Sequence, residues 1–296
     1  MESAFSAAVS RIMPSTGVLV GYGSGVFSQG GDSGEHRLVD LLALVSDKSA
    51  YFDYLRSQGL ISKSSRCFAR ITNPEITYFA DVGVDTRERV KLGVIDLHGG
   101  LSRLRDWGGS FYIPGRFQKP IKVLHSSDPG RLNSFLAAQE VNHCAALAAA
   151  LLLLPTDARE YFDLQVVYSS LINLSYQGDI RMGLAENPKK VQNILSGQFD
   201  DLQSIYRPYF EKTGIVRANA REFKCRKSPS ELWMSLPANF RRKAIQAVDP
   251  REALLTTLRS INRRESVYQA LVGVGTTGVS KSAQYLFRKV SKRFIC

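Results

Sequence analysis

The residues best placed to do chemistry lie in the stretch VLVGYGSGVFSQGGDSGEHRLVDLLALVSD, residues 18–47. A short apolar run, Val18 to Val20, stops at Gly21, and Gly23-Ser24-Gly25 follows. Missing side chains at such a turn let the backbone approach a ligand closely. Successive N–H groups there form a nest for phosphate oxygens, with the Ser24 hydroxyl as a further donor. A second apolar run, Leu38 to Val45, carries one carboxylate, Asp40. An acid in a buried-looking strand is costly unless something compensates it, and a bound cation such as Mg²⁺ is the usual compensation. A glycine turn and an ordinary strand-end acid would account for the same residues.

The order strand, Gly-Ser turn, linker, strand with a carboxylate is similar to the layout of polymerase-β-like nucleotidyltransferases. In those enzymes Gly-Ser holds the triphosphate and strand carboxylates hold Mg²⁺. A second carboxylate is usual two residues on, where this chain has Leu42. Asp96, ending the stretch RVKLGVID, is a further candidate ligand; capping the following turn is the other role open to it. In GRFQKP, Arg116 and Lys119 sit three apart beside Gly115 and Pro120, an arrangement suited to gripping phosphate and equally to a solvated basic turn.

Composition narrows the partner. The chain has 296 residues, 44% of them hydrophobic, enough for two modest domains with a sizeable core. A net charge of +12 points to an anionic partner. Four cysteines without paired spacing fit a reducing compartment rather than a zinc site or disulfide framework. The histidines are scattered, and His36 reads as a linker residue. The run from Cys144 to Leu154 has 11 residues and ends at Pro155, too short to span ~30 Å of hydrocarbon, and reads as a buried helix. The start, MESAFSAAVSRIMPS, is a poor transit peptide and serves equally as an amphipathic first helix.

The elements that must position these residues are expected as follows. Residues 4–13 and 49–58 read as helices, 75–84 as β-rich and 89–96 as a sheet strand. A short helix to Trp107 follows, and from about residue 128 the pattern turns to long helical periods. A helix over 130–154 ends at Pro155, and Thr156 or Asp157 is expected to cap the next, through about Leu174. Gly178 to Met182 forms a turn, and Lys189-Lys190 opens another helix. Residues 199–212 carry an aromatic stripe that reads as core, 215–225 a strand pair, and 229–260 helices punctuated by Pro237 and Pro250. The expected organisation is an α/β domain over 1–126, a mostly helical domain over 127–265, and a basic segment over 266–296.

Taken together, YGSGVFSQ, VDLLALVSD, KLGVI, YIPGRFQKPIK, LSYQGDIRM, KKVQNIL and SPSELWMSLP resemble the mitochondrial translocator-assembly-and-maintenance family, the peripheral phosphatidate cytidylyltransferases. The resemblance runs nearly end to end and in order. It departs at Leu44, where glycine is frequent, at Leu92, where tyrosine is, and at Asp96. It implies a polymerase-β-like nucleotidyltransferase domain, a winged-helix-like domain and a membrane-binding C-terminal amphipathic helix. It also implies substrate contacts at Tyr22, Gly23, Ser24, Arg116, Lys119 and Lys190, a metal role for Asp40 with Mg²⁺, and functional positions at Lys91, Asp179 and Arg181. An internal Asp179–Arg181 salt bridge is the structural alternative. The implied reaction joins CTP to phosphatidate, giving CDP-diacylglycerol and pyrophosphate on the matrix side of the mitochondrial inner membrane.

The phosphatidate phosphate is already an anionic nucleophile, so no general base is needed, in keeping with the absence of a histidine from these motifs. Charge placement carries such a reaction. RNA-end transfer and a non-catalytic assembly role are the rivals. The sequence lacks the paired aromatic and basic strand expected for single-stranded nucleic acid, so no nucleic-acid partner is expected. No acidic residue follows Glu265, and Lys281, Arg288, Lys289, Lys292 and Arg293 flank a Leu286/Val290/Phe294 stripe. This pattern suits a helix lying on an anionic membrane surface.

Overall fold

The structure is a computed structural model that describes residues 9–13, 15–27, 38–79, 82, 89–108, 110–155, 157–180, 182, 187–245 and 247–277. The first part is built on a five-stranded sheet. Its strands are β1 (Gly17–Tyr22), β2 (Leu38–Val45), β3 (Ile76–Phe79), β4 (Arg89–Asp96) and β5 (Ile121–Ser126), in the order β3-β4-β2-β1-β5. β1 and β2 pair antiparallel, while β2 and β4 run parallel. A parallel pair needs a crossover, which contains α1 (Lys48–Ser57) and α2 (Lys63–Thr72).

Helices cover both faces of β2, which explains its nearly continuous apolar run. Leu41, Ala43 and Val45 pack with Tyr51, Phe52 and Leu55 of α1. Leu42 and Leu44 pack on the other face with Leu101 and Leu104 of α3 (Leu97–Asp106) and with Phe117 and Phe135. Asp40 belongs to this second face, at the N-terminal end of the strand.

The second part is helical, centred on α5 (Pro129–Leu153). That helix is apolar and long, and its most apolar window is 67% buried inside the protein, the environment of a core helix. Around it lie α6 (Leu164–Asn173), α7 (Lys190–Tyr206), α8 (Phe210–Thr213), α9 (Pro229–Met234), α10 (Ala238–Lys243) and α11 (Pro250–Thr277). Strands Ile215–Arg217 and Phe223–Cys225 form the expected pair. The aromatic stripe is core, with Tyr206 fully buried.

Two local expectations change. GRFQKP is not a free turn: Tyr112 to Phe117 form α4, and Gln118 closes it. Asp157 opens only a short 3-10 turn, and Asp163 caps α6 through the Gln165 N–H.

Both parts meet along α4. Trp107 and Phe111 join the core of the helical part, and the Trp107 indole donates to Asn142 Oδ1 at 2.8 Å. Gln118 Nε2 donates to the Leu171 carbonyl at 2.7 Å, and the Tyr206 hydroxyl to the Gln118 carbonyl at 2.6 Å. The helix α11 runs unbroken through residues 265 and 266.

Candidate active site

Sheet register assembles the candidate residues. Tyr22 of β1 pairs with Asp40 of β2, which pairs with Lys91 of β4. Partners across a sheet share a face, so these side chains form one row at one sheet end. The next row inward, Val20, Leu42 and Gly93, is apolar or has no side chain. Leu42, at the position of the expected second carboxylate, is buried in the core.

β1 leaves the sheet directly into the glycine turn. Gly23 has φ +76°, a left-handed conformation that favours glycine, and a Cβ there would stand 3.3 Å from Asp40 Oδ2. Gly25 lies against β2, where a Cβ would meet the Leu38 carbonyl at 2.4 Å. The Val26 and Phe27 N–H groups both donate to the Gly23 carbonyl, at 3.1 and 3.0 Å, giving a tight helical turn. The turn thus brings its backbone against the carboxylate.

Cations surround Asp40. Lys91 Nζ is 4.0 Å from Asp40 Oδ1, a loose pair with both side chains partly exposed. Arg116 comes from α4, which packs across the same face, and its Cζ lies 3.3 Å from the Tyr112 ring centroid. Burial works to lower the Arg116 pKa, but Tyr112, Tyr78, Tyr22 and Asp40 outweigh it and hold the guanidinium firmly charged. Tyr22 is raised by burial first and by the Asp40 charge second, so its phenol stays protonated.

Asp96 takes the other role open to it. Its Oδ1 accepts from the Gly99 N–H at 2.8 Å and caps α3. It pairs with Val45, five positions along the strands from the Asp40–Lys91 pair. That places it roughly 17 Å away at about 3.3 Å per residue. Asp47, Asp128 and Asp163 likewise cap helices. Asp40 differs from them in lying within a strand.

The comparisons with known proteins bear on this arrangement. The model of the family described as "Phosphatidate cytidylyltransferase, mitochondrial" matches residues 5–292. A protein of that name from Xenopus laevis is 31% identical, over 92% of this chain and 88% of its own length. One from Schizosaccharomyces pombe is 28% identical, over 93% and 79%. One from Bos taurus is 27% identical, over 98% and 94%. The chain belongs to the mitochondrial phosphatidate cytidylyltransferase family.

In this cytidylyltransferase-family chain a second group of predicted residues gathers beside the first. Lys119 donates to the Gly115 carbonyl and, at 2.9 Å, to Ser175 Oγ. Burial first, then the Arg116 and Lys190 charges, hold its pKa well below the ordinary lysine value. Arg116, Lys119 and Lys190 therefore share one electrostatic environment, although Lys190 comes from the first turn of α7.

Asp179 is buried, and the residues on either side of it pack on α11. Gly178 has φ +75°, and a Cβ there would meet the Arg259 carbonyl at 2.5 Å. Asn262 Nδ2 donates to the Leu174 and Gln177 carbonyls at 2.9 and 2.8 Å, and the Ile180 N–H to Ser266 Oγ at 3.4 Å. The SYQGDI segment is thus clamped by the C-terminal helix. Arg181, His36 and the basic stretch from 281 onward lie outside the described residues.

Sequence reasoning passed over Tyr78 and Tyr112. Tyr78 lies under Lys91, with Nζ 4.4 Å from the ring centroid. Tyr112 lies under Arg116. The available signal was Gly93 in KLGVI, where a Cβ would stand 2.8 Å from Tyr78 Cε1.

Proposed function

We propose that the chain transfers the cytidylyl group of CTP to phosphatidate, giving CDP-diacylglycerol and pyrophosphate. The row of Tyr22, Asp40 and Lys91, set against the glycine turn and beside Arg116, is the observation that carries this reading. Family membership selects the substrates, since the relatives are named phosphatidate cytidylyltransferases. The sheet and turn are read as a polymerase-β-like nucleotidyltransferase domain, and the helical part as winged-helix-like.

A phosphatidate oxygen attacks the α-phosphorus of CTP; the bond to the oxygen bridging the α- and β-phosphorus breaks, and pyrophosphate leaves. The nucleophile is already an anion, so no proton need be removed. Two polyanions must be brought together, and the leaving group gains charge. Lys91 and Arg116 oppose that repulsion, backbone N–H groups of Gly23 and Ser24 hold phosphate oxygens, Lys190 extends the positive field, and Lys119 adds to it once phosphate charge favours its protonated form. Asp179 and Arg181 are assigned functional roles in the same reaction by the family resemblance. Tyr22 closes the row beside Asp40.

Mg²⁺ fits as a nucleotide-borne ion. Among the described residues no three His, Cys, Asp or Glu side chains form a metal cluster. Asp40 is the carboxylate beside the turn, and Mg²⁺ binds readily through one carboxylate plus substrate phosphates and water. When bound, Mg²⁺ neutralises phosphate charge.

The relatives' names place the enzyme in mitochondria, and we assign it to the matrix face of the inner membrane as a peripheral protein. Its macromolecular partner is the anionic membrane surface, and it has no nucleic-acid partner. The test incubates the protein with labelled CTP, Mg²⁺ and phosphatidate liposomes. Lipid-soluble label is expected; transfer to RNA, or no transfer at all, would overturn the reading.

A further inference from the structure

Lys91 and Arg116 flank Asp40 from different elements, a strand and a helix. Each is seated on an aromatic ring. Lys91 Nζ is 4.4 Å from the centroid of Tyr78, and Arg116 Cζ is 3.3 Å from that of Tyr112. The rings touch edge to face, their centroids 6.1 Å apart and their planes at 67°. A continuous chain thus runs from Lys91 through Tyr78 and Tyr112 to Arg116.

The backbone makes room for it. Tyr78 pairs with Gly93, which follows Lys91 by two positions and shares its face. A Cβ at Gly93 would stand 2.8 Å from Tyr78 Cε1 and 2.7 Å from Leu42 Cδ1. The missing side chain is the slot through which the Tyr78 ring crosses β4 toward Lys91. Tyr112 stands one helical turn before Arg116, and its carbonyl accepts from Arg116 Nη1 at 3.2 Å.

A ring face holds a cation differently from a carboxylate. Its quadrupole attracts the charge but adds no negative charge of its own. Two carboxylate partners here would neutralise the field that must bind a triphosphate. Two tyrosine faces fix the cations and leave that field in place, most strongly where water is excluded.

We propose that Tyr78 and Tyr112 are positioning residues that hold Lys91 and Arg116, by their ring faces, where the phosphates of the nucleotide bind. The proposal rests on the CTP reading and goes beyond it by assigning residues that touch no substrate. The paired contacts have one consequence: weakening either ring face disturbs phosphate binding without disturbing the fold.

The test replaces Tyr78 with phenylalanine and, separately, with 3,4,5-trifluorophenylalanine in the full chain. The rings are alike in outline, but fluorine withdraws the electron density that attracts a cation. Binding of inorganic pyrophosphate is measured by calorimetry, and KM for CTP and for phosphatidate by lipid labelling. From phenylalanine to the fluorinated ring, pyrophosphate Kd and CTP KM should rise about threefold to tenfold. Phosphatidate KM and the thermal midpoint should not move. The same pair at Tyr112 repeats the test should one ring fail to accommodate fluorine. Equal pyrophosphate affinity across both pairs would overturn the proposal. A wild-type protein that labels no lipid would instead overturn the CTP reading, and the pyrophosphate series would still decide the role of the rings.

Discussion

Asp40 and Asp96 sit at opposite ends of a parallel strand pair, and their surroundings separate their roles. Asp96 accepts a helix N–H, whereas Asp40 faces Lys91 and the glycine turn. Asp40→Asn keeps the shape and removes the charge. It should lower lipid labelling roughly a hundredfold or more, with the circular dichroism spectrum unchanged. Lys119 supports a second prediction. Burial, with Arg116 and Lys190 nearby, favours its neutral form. A bound phosphate adds negative charge, raises that pKa again and draws in a proton below the unfolded lysine value of about 10.5. Pyrophosphate titrations in buffers of different ionisation enthalpy should therefore show proton uptake, and Lys119→Met should remove it.

At the scale of elements, α5 and α11 bear the load. The buried His143 on α5 meets Tyr206 edge to face and Tyr209 at a tilt, and burial lowers its pKa to about 4 despite a bond to the Phe117 carbonyl. In the unfolded chain the imidazole takes its proton near pH 6.5. Between those values the unfolded state binds more protons, so stability falls as pH falls through the window, by about 3 kcal/mol in full. Urea unfolding from pH 7 to 4 should show that loss, and His143→Gln should flatten it. On α11, Asn262→Ala leaves the Leu174 and Gln177 carbonyls without their donor. The expected cost is about 2–3 kcal/mol by urea unfolding, with reduced turnover because the Asp179 segment loses its clamp.

For the whole molecule, the sheet and helical parts are joined at α4, so Arg116 and Lys119 report on both. A lipid substrate further requires the enzyme to reach a bilayer. The basic segment beyond residue 280 suits that task, each cation near an anionic surface contributing about 1 kcal/mol. Deleting residues 280–296 should reduce sedimentation with anionic liposomes and slow turnover on them, while detergent-dispersed phosphatidate is still used. Unchanged liposome binding would remove the anchor from the proposal.

Local chemistry made much of this protein legible in the sequence. Alternating and continuous apolar runs marked β2 and β4, prolines bounded the helices around α9 and α10, and the Gly-Ser turn with a lone strand acid marked the candidate site. Those signals are local because strand periodicity, ring constraint and glycine's freedom act on neighbouring residues. Tertiary structure decided what depends on register and crossing. It set Lys91 opposite Asp40, packed α4 over that row, and seated Lys91 and Arg116 on Tyr78 and Tyr112. For Asp96 the sequence left a ligand role and a cap role both open, and its partner is a helix N–H. The segment on either side of Asp179 packs on a helix that begins more than seventy residues later in the chain. Contacts over such separations arise when distant apolar faces are buried together, and the spacing of residues along the chain carries no record of which faces will meet.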